Sequence, residues 1–417
     1  MITKDLLRQV IYEQRELKDE LGVRRQVAQT DVDAGEIMVI SGIRRCGKSV
    51  LMQQIRSKRE ERDYALSFDD DRLLHFTVDD FQTLCDVFAE DFGLQHSFYL
   101  DEVQLVEGWE RFADRLHRHH NKVFVTGSNA YLLSRELGTL LTGRHLSHEL
   151  FPMSMAECME LKGMTWEHKD FYTTEGRARL LNAQAAYLKE GGFPQYLRTC
   201  NPRYLRELYS DIIYRDIVVR HRLSSDRQLR ELTYFLASNV THRFTYQSAA
   251  KASGIKSAET VSDYVGYLEN AYLVGILSKY DHKVGQQIKS PKKVYFIDNA
   301  LVHQIGFAFS ENAGSSLENA VYIELRRRGH ELFYYSNGAE CDFLVRWGAD
   351  IVAAYQVTVF MDEPKTRERE FNGLRDAMDA FSLREGFIVT KDTNDDITLD
   401  DGRTIHVVAF YRWVLGN

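Results

Sequence analysis

The sequence predicts an α/β chain that opens on a parallel sheet and continues through a helical stretch into an α+β C-terminal part. Three observations carry this expectation. First, 36-EIMVIS-41 is short, apolar and rich in β-branched residues, and it leads through a glycine-rich turn into 48-KSVLMQQIRSKRE-60, where Val50, Leu51 and Ile55 mark one helical face. Second, 97-SFYLDEVQLVEGWE-110 and 122-KVFVTGSNA-130 begin apolar and end in polar clusters, as parallel strands do when they deliver side chains to one sheet edge. Third, the region after residue 317 pairs an apolar-striped helix with strands joined by Asn337-Gly338, a hairpin signal.

At 417 residues the chain exceeds one hydrophobic core, and two to three domains are expected. Hydrophobic residues make up 44% and charged residues 27%, and only 5 prolines are present, so long disordered linkers are not expected. The opening MITKDLLRQVIYEQRELKDE is charged throughout, unlike a secretory leader, and no window approaches the ~18 apolar residues of a membrane span. Five scattered cysteines without a C-x-x-C pair argue against structural zinc or a disulfide framework and point to a reducing, cytoplasmic setting. The net charge of -8 disfavours a surface basic all over, while leaving room for a local basic patch.

The turn after the first strand reads Gly42-Ile43-Arg44-Arg45-Cys46-Gly47-Lys48-Ser49, which fits G-x-x-x-x-G-K-[ST]. In a strand–turn–helix context this is a phosphate cradle. Gly42 and Gly47 let the backbone curl around phosphate oxygens, and successive N–H groups from Ile43 to Val50 meet them at a helix N-terminus. Lys48 reaches the β- and γ-phosphates, and Ser49 places a hydroxyl on Mg²⁺.

The second apolar run ends in Asp101-Glu102. An aspartate there is placed to hold Mg²⁺, and Glu102 to activate the attacking water. At the tip of the third run, Ser128 and then Asn129 are the candidates to hold that water or sense the γ-phosphate; both can equally cap a helix predicted over 129–141. In 142-TGRHLSHELFPMS-154 a Gly-Arg at a helix end is followed by a strand, and Arg144 can reach a γ-phosphate of its own or a neighbouring chain, or simply balance a helix C-terminus.

The ordered set GIRRCGKS, FYLDEVQ, VTGSN and LTGR resembles the AAA+ ATPases, and more narrowly their prokaryotic AAA-14 type, paired with a C-terminal domain of unknown function. The resemblance covers the whole chain. It implies a P-loop NTPase core of five parallel strands over residues 1–155, a helical lid or linker over 156–224, and Arg144 as arginine finger. It also implies that 190-EGGFPQYLR-198 is a lid motif near adenine and ribose, with Gly191, Gly192 and Pro194 in place and Arg198 behind them. A turn after the helix 178-ARLLNAQAAYLKE-190 explains the paired glycines equally well.

An amphipathic helix is expected over 202–223, from Leu205, Leu208, Ile212, Ile213 and Ile217. Helices over 226–240, 247–254 and 257–271 then precede two strands, 272–281 and 291–298, joined by a basic loop. This order reads as a winged helix-turn-helix over residues 225–300. The start of the third helix carries Ser257, Glu259, Thr260, Ser262 and Asp263, whose carboxylates repel phosphates and read no base. The wing, with Lys279, His282, Lys283, Lys289, Lys292 and Lys293, suits backbone contact without sequence preference, and a structural or protein-contact role stays open.

Residues 301–417 resemble the PD-(D/E)xK nucleases, an α+β restriction-endonuclease-like fold. Glu318 on a helix and Asp342 on a strand match that pattern. Gln356-Val357-Thr358 stands where Glu-x-Lys is expected, so the resemblance implies a degenerate, vestigial site at Glu318, Asp342 and Gln356, with Lys365, farther on, able in principle to substitute for the lysine; Glu318 and Asp342 can equally be ordinary surface or hairpin residues. The whole chain is therefore expected to be an ATPase using ATP and Mg²⁺. Nucleic acid, an unidentified protein and a second copy of the chain are open as partners; a membrane is not.

Overall fold

The computed structural model describes residues 2–17, 21–59, 62–128, 141, 143–306, 313–359 and 364–416, the side chains of 364–366 excepted. The chain forms two compact units, Met1–Leu150 with Asn270–Tyr272, and Phe151–Glu269 with Leu273–Asn417. The spans separated in sequence as 156–224, 225–300 and 301–417 thus fall, residues 270–272 apart, within one unit.

In the first unit, β1 (Ile37–Ser41), β2 (Tyr64–Ser67), β3 (Ser97–Asp101), β4 (Lys122–Gly127) and β5 (His145–Glu149) form one sheet in the order β2-β3-β4-β1-β5, and every pairing is parallel. All five residues of β1 are buried, which is why that strand is apolar without alternation. The helix Lys4–Glu16, not expected from the sequence, contributes Leu7, Val10 and Ile11 at the i, i+3, i+4 spacing. They join a core with Phe81, Leu84 and Phe88 of helix Phe81–Phe92 and Trp109 and Phe112 of helix Trp109–Arg118. Phe81 and Phe112 stack with centroids 4.1 Å apart. Parallel pairing brings the carboxyl ends of β1, β3 and β4 to one edge, with Ser41 level with Gly127 and Asp101 level with Ser67.

The second unit begins with helices Met155–Leu161, Thr174–Glu190, Pro194–Thr199 and Pro202–Asp211. The helix predicted over 202–223 changes winding: Ile212–Val219 is π-helical. Its buried set, Ile212, Ile213, Asp216, Ile217 and Val218, is wider than one α-helical stripe, and the wider winding gathers it. Helices Arg227–Ser238, Tyr246–Ser253 and Ala258–Asn270 follow, with β6 (Arg243–Phe244), β7 (Val274–Ser278) and β8 (Lys292–Phe296) in a sheet ordered β6-β8-β7. The segment between β7 and β8, expected as a basic loop, contains a short helix, Val284–Lys289.

Helix Ala313–Arg327 precedes a six-stranded sheet ordered β13-β14-β12-β11-β10-β9: β9 (Glu331–Asn337), β10 (Ala339–Trp347), β11 (Asp350–Thr358), β12 (Glu385–Thr390), β13 (Asp395–Thr398) and β14 (Thr404–Ala409). The β9–β10 hairpin turns at Gly338, whose φ of +108° explains the Asn-Gly signal. Helix Pro364–Ala380 connects β11 to β12, which pair in parallel. Among the described residues no helix is long and apolar enough to cross a membrane.

Candidate active site

The cradle sits where β1 ends. Gly42 has φ +143°, and a Cβ there would lie 2.2 Å from the Leu150 carbonyl oxygen, so no other residue fits. Gly47, at φ +105°, turns the chain into helix Lys48–Ser57. Arg45, non-glycine at φ +65°, completes the curl. Two contacts hold the loop from outside: Cys46 Sγ lies 3.3 Å from the Leu150 carbonyl oxygen, and the Arg25 guanidinium donates to the Cys46 carbonyl at 2.6 Å. Burial pushes the Cys46 thiol up, so it stays protonated and serves as packing. Lys48 is almost wholly buried and donates to the carbonyls of Gly42 and Ile43, at 3.1 Å each.

Asp101 is the centre of the polar cluster. Ser49 Oγ lies 3.0 and 2.9 Å from its two carboxylate oxygens, Ser67 Oγ 3.2 Å from one, and Thr126 Oγ1 2.5 Å from the other. The cradle helix, β2 and β4 thus each give Asp101 one hydroxyl, which fixes its rotamer. A hydroxyl and a carboxylate this close form an all-oxygen set suited to a hard divalent cation such as Mg²⁺. Glu102 follows in the left-handed region, φ +50°, with its N–H donating to Thr126 Oγ1 at 2.9 Å. Its carboxylate stands 4.0 Å from Lys48 Nζ and accepts from Gln104 Nε2 at 2.5 Å.

Lys48, Ser49, Asp101 and Glu102 are therefore brought together, and Ser128 is buried one residue beyond the end of β4. Asn129 lies outside the described residues, as does most of the helix predicted over 129–141. Arg144 requires a correction. Its carbonyl accepts from the Ile37 N–H, and the next residue, His145, is level with Ile37, so Arg144 sits at the amino end of β5. The cradle lies past the carboxyl end of β1, roughly 16 Å away along a five-residue strand. The Arg144 guanidinium pairs instead with Asp114. It does not reach the phosphate position of its own chain.

Gly191, Gly192 and Pro194 belong to the second unit. A Cβ on Gly191 would fall 2.2 Å from an Asp298 carboxylate oxygen, and one on Gly192 2.2 Å from the Met153 carbonyl. Gly192 N–H donates to Asp298 at 2.6 Å, and Pro194 opens helix Pro194–Thr199. Asp298 accounts for the glycine at 191 and the Met153 backbone for the glycine at 192. Burial raises the Asp298 carboxyl to about 6, against the N–H groups of Gly192, Leu301 and Ala300.

A second polar site lies in the same unit. A cavity of about 890 Å³ is lined by Lys293, Glu318, Glu340, Asp342, Gln356 and Glu370, among others. Lys292 and Lys293, expected on an exposed wing, are buried in β8: alternation along the strand turns Lys293 toward helix Ala313–Arg327 and β10. Lys293 Nζ lies 2.9 Å from Asp342, 3.1 Å from Glu318 and 2.7 Å from Glu340. Burial disfavours its charge, but Asp342 and Glu318 outweigh burial and the ammonium is held charged. Glu318 is pushed up by burial and by Asp342, against the ammonium and the Tyr295 hydroxyl, 2.7 Å away. A register shift between Cys341 and Leu344 turns Asp342 to this point. Gln356 is not aimed at a ligand: its Oε1 accepts from Asp342 N–H at 3.1 Å, and its Nε2 donates to Glu370. Among the described residues no group of three or more His, Cys, Asp or Glu is placed to hold a metal ion. The Lys365 side chain lies outside the described residues.

The sequence offered no role for Ser67, Thr126, Gln104 or Glu370. Ser67 and Thr126 end or nearly end apolar strands, which is a usable signal once strand adjacency is known. Gln104 and Glu370 carry none.

Residues 34–159 match a family model described as an AAA domain, and residues 182–312 match a domain of unknown function (DUF8612). An uncharacterized protein of Methanocaldococcus jannaschii is 30% identical over 100% of this chain and 96% of its own length. An uncharacterized protein of Haemophilus influenzae is 31% identical over 77% of this chain and 82% of its own. A solved Walker-type ATPase of Pyrococcus abyssi superposes with a TM-score of 0.41 at 14% identity, over 66% of this chain and 93% of that one.

Proposed function

The chain belongs to the family of its archaeal relative, and its residues 34–159 match the AAA-domain model; from that premise we propose that its first unit binds ATP with Mg²⁺ and hydrolyses it. The observation that carries this reading is Ser49 against Asp101 at 2.9–3.0 Å, with Lys48 and Glu102 beside them. The N–H groups from Ile43 to Val50 face the phosphates, and Lys48 leaves its two loop carbonyls for the phosphate oxygens. Ser49 and Asp101 would hold Mg²⁺, which would supply charge neutralisation at the phosphates. Glu102 takes the proton of the attacking water, with Ser128 and Asn129 the candidates to position it. The water oxygen bonds to the γ-phosphorus and the bond to the β-phosphate oxygen breaks, leaving ADP and phosphate. Since Arg144 is at the far end of β5, an arginine finger from it is supplied only by a second copy of the chain.

The test is steady-state hydrolysis with Mg²⁺ for wild type, Lys48→Ala and Glu102→Gln, across protein concentrations and with and without DNA. Glu102→Gln lowers kcat by about two to three orders of magnitude while ATP still binds. Hydrolysis by Lys48→Ala at the wild-type rate would sink the assignment. Tight binding with turnover below ~0.01 per second under every condition makes the first unit a nucleotide switch that resets a partner interaction.

A second reading rests on Lys293. The sequence lacks the lysine of a nuclease-like site at Thr358, yet a buried ammonium stands between Glu318 and Asp342 and arrives from β8 instead. In this reading the second unit is restriction-endonuclease-like, with Glu318 and Asp342 as its two carboxylates and Gln356 standing where a third is expected. Helices Arg227–Ser238, Tyr246–Ser253 and Ala258–Asn270 with β6, β7 and β8 are then a winged helix-turn-helix whose exposed Lys283 and Lys289 contact nucleic acid without sequence preference. Mn²⁺- or Mg²⁺-dependent cleavage of single- or double-stranded DNA, lost in both Asp342→Ala and Lys293→Met, supports it. No cleavage of either substrate leaves the cluster a structural ion-pair network.

A further inference from the structure

The second unit holds another cavity, of about 470 Å³, built on its six-stranded sheet. Tyr355 of β11, Phe387 of β12, His406 of β14 and Asp396 of β13 stand in mutual register, so their side chains share one face of the sheet. The rings stack in turn, Tyr355 on Phe387 with centroids 4.9 Å apart and Phe387 on His406 at 5.4 Å. Asp396 closes the row, with a carboxylate oxygen 2.7 Å from His406 Nδ1. Phe387, His406 and Asp396 line the cavity together with Tyr172, which follows the 3-10 turn His168–Phe171, and Arg412 of helix Phe410–Leu415. The Arg412 guanidinium lies 5.0 Å from the Tyr172 ring centroid and donates to its hydroxyl at 3.0 Å.

Folding alone explains part of this arrangement. Charge on β13 keeps an edge strand from pairing, which covers Asp396. It does not cover Tyr172, which is 59% exposed and yet lines a concavity shared with Phe387. Polar capacity is left over as well. Among the described residues the Arg412 side chain donates to Tyr172 alone, and Asp396 gives one oxygen to His406 and keeps the other. A ligand that stacks on rings, donates an N–H to a carboxylate and accepts from a guanidinium has the chemistry of a nucleobase. Charge decides against two alternatives. Arg412 is the one Lys or Arg among the described lining residues, and Asp395 and Asp396 accompany it, so a phosphate finds no grip. The same guanidinium repels the organic cation that an aromatic cage would otherwise take.

We propose that this cavity binds a single nucleobase, stacked on the rings of Tyr172 and Phe387, with an N–H edge on Asp396 and a carbonyl or ring nitrogen accepting from Arg412. Sugar and phosphate stay outside. The base of a free nucleotide and an unpaired base of a single strand present this same chemistry. The proposal stands apart from both readings above: the cradle of the first unit grips phosphates, and the Lys293 cluster lies in a different cavity with none of these residues.

The experiment titrates the full chain with guanosine, adenosine, cytidine and uridine in a calorimeter; none carries a phosphate for the cradle. At least one nucleoside is expected to bind with a Kd below about 1 mM. Tyr172→Ala and Asp396→Asn each weaken that binding about tenfold, while Tyr172→Phe, which keeps the ring, stays within about twofold of wild type. Should Tyr172→Ala fail to fold by circular dichroism, Arg412→Gln takes its place with the same expected loss. A single-stranded oligonucleotide of the preferred base separates the sources. Affinity equal to the nucleoside's points to a free ligand; higher affinity, lost when the bases are paired in a hairpin, points to an unpaired base in a strand. No binding by any nucleoside at about 1 mM overturns the proposal. So does an affinity that neither Tyr172→Ala nor Asp396→Asn alters, and so does agmatine, a guanidinium probe, binding more tightly than every nucleoside.

Discussion

Replacing Lys293 by methionine removes an ammonium that touches three carboxylates. Its side chain is 3% exposed, and the separations to Glu318, Glu340 and Asp342 run from 2.7 to 3.1 Å. Removing one partner from a buried charge pair destabilises by about 3–5 kcal/mol, because the charges left behind are neither hydrated nor paired. Here some compensation survives. Glu340 keeps Arg243, Asp342 keeps the Val357 N–H at 3.1 Å, and Glu318 keeps the Tyr295 hydroxyl at 2.7 Å. The lower end, about 3 kcal/mol, is therefore expected. Urea unfolding followed by tryptophan fluorescence reports on it, since Trp166, Trp347 and Trp413 lie in the second unit. The deficit also has a pH signature. Without the ammonium, Glu318, already pushed up by burial, holds its proton more tightly still in the folded chain, so the variant's stability falls more steeply than wild type's as pH rises from about 4 toward neutrality. Lowering the pH should narrow the gap to wild type. A loss below about 1 kcal/mol at neutral pH, or a gap that does not narrow in acid, would show that the cluster is solvated rather than buried.

Two further expectations concern backbone geometry and one buried carboxyl. Asp298, raised from 3.8 to about 6 by burial, binds more protons folded than unfolded between those values, so it makes stability fall as pH rises through that window, by up to about 3 kcal/mol. Asp298→Asn abolishes this slope in urea titrations at pH 4 and 6; an unaltered slope contradicts the assignment. Gly42→Ala must place a methyl 2.2 Å from the Leu150 carbonyl at φ +143°, and is expected to weaken binding of a fluorescent ATP analogue at least tenfold with the fold retained by circular dichroism. Binding within twofold of wild type would mean that the loop opens without strain.

The first site was largely legible because its signals are local. A β-branched run, Gly42, Gly47 and Lys48-Ser49 sit within one strand–turn–helix, and backbone sterics alone select those glycines. Asp101 was found because polar residues closing an apolar strand mark a sheet edge. Arg144 went the other way: a Gly-Arg beside a strand carries no statement of which end of the sheet it occupies, and only the Ile37–His145 register showed it. The paired glycines at 191 and 192 read as a nucleotide contact or a turn; the structure adds that Asp298, more than a hundred residues on, fills the space beside Gly191 and the Met153 backbone the space beside Gly192.

By itself, then, the sequence determined what short-range geometry can determine: which segments bury both faces, where the chain curls at Gly42 and Gly47, and which carboxylates close the strands. Tertiary structure decided everything that depends on adjacency. It gave Asp101 the hydroxyls of Ser67 and Thr126, folded Gln104 back onto Glu102, and carried Lys293 from an expected basic wing into a carboxylate cavity. The reason is physical: hydrogen bonds and ion pairs act over about 3 Å of space, whereas these partners are separated by 25 to 49 positions along the chain wherever they come from different elements.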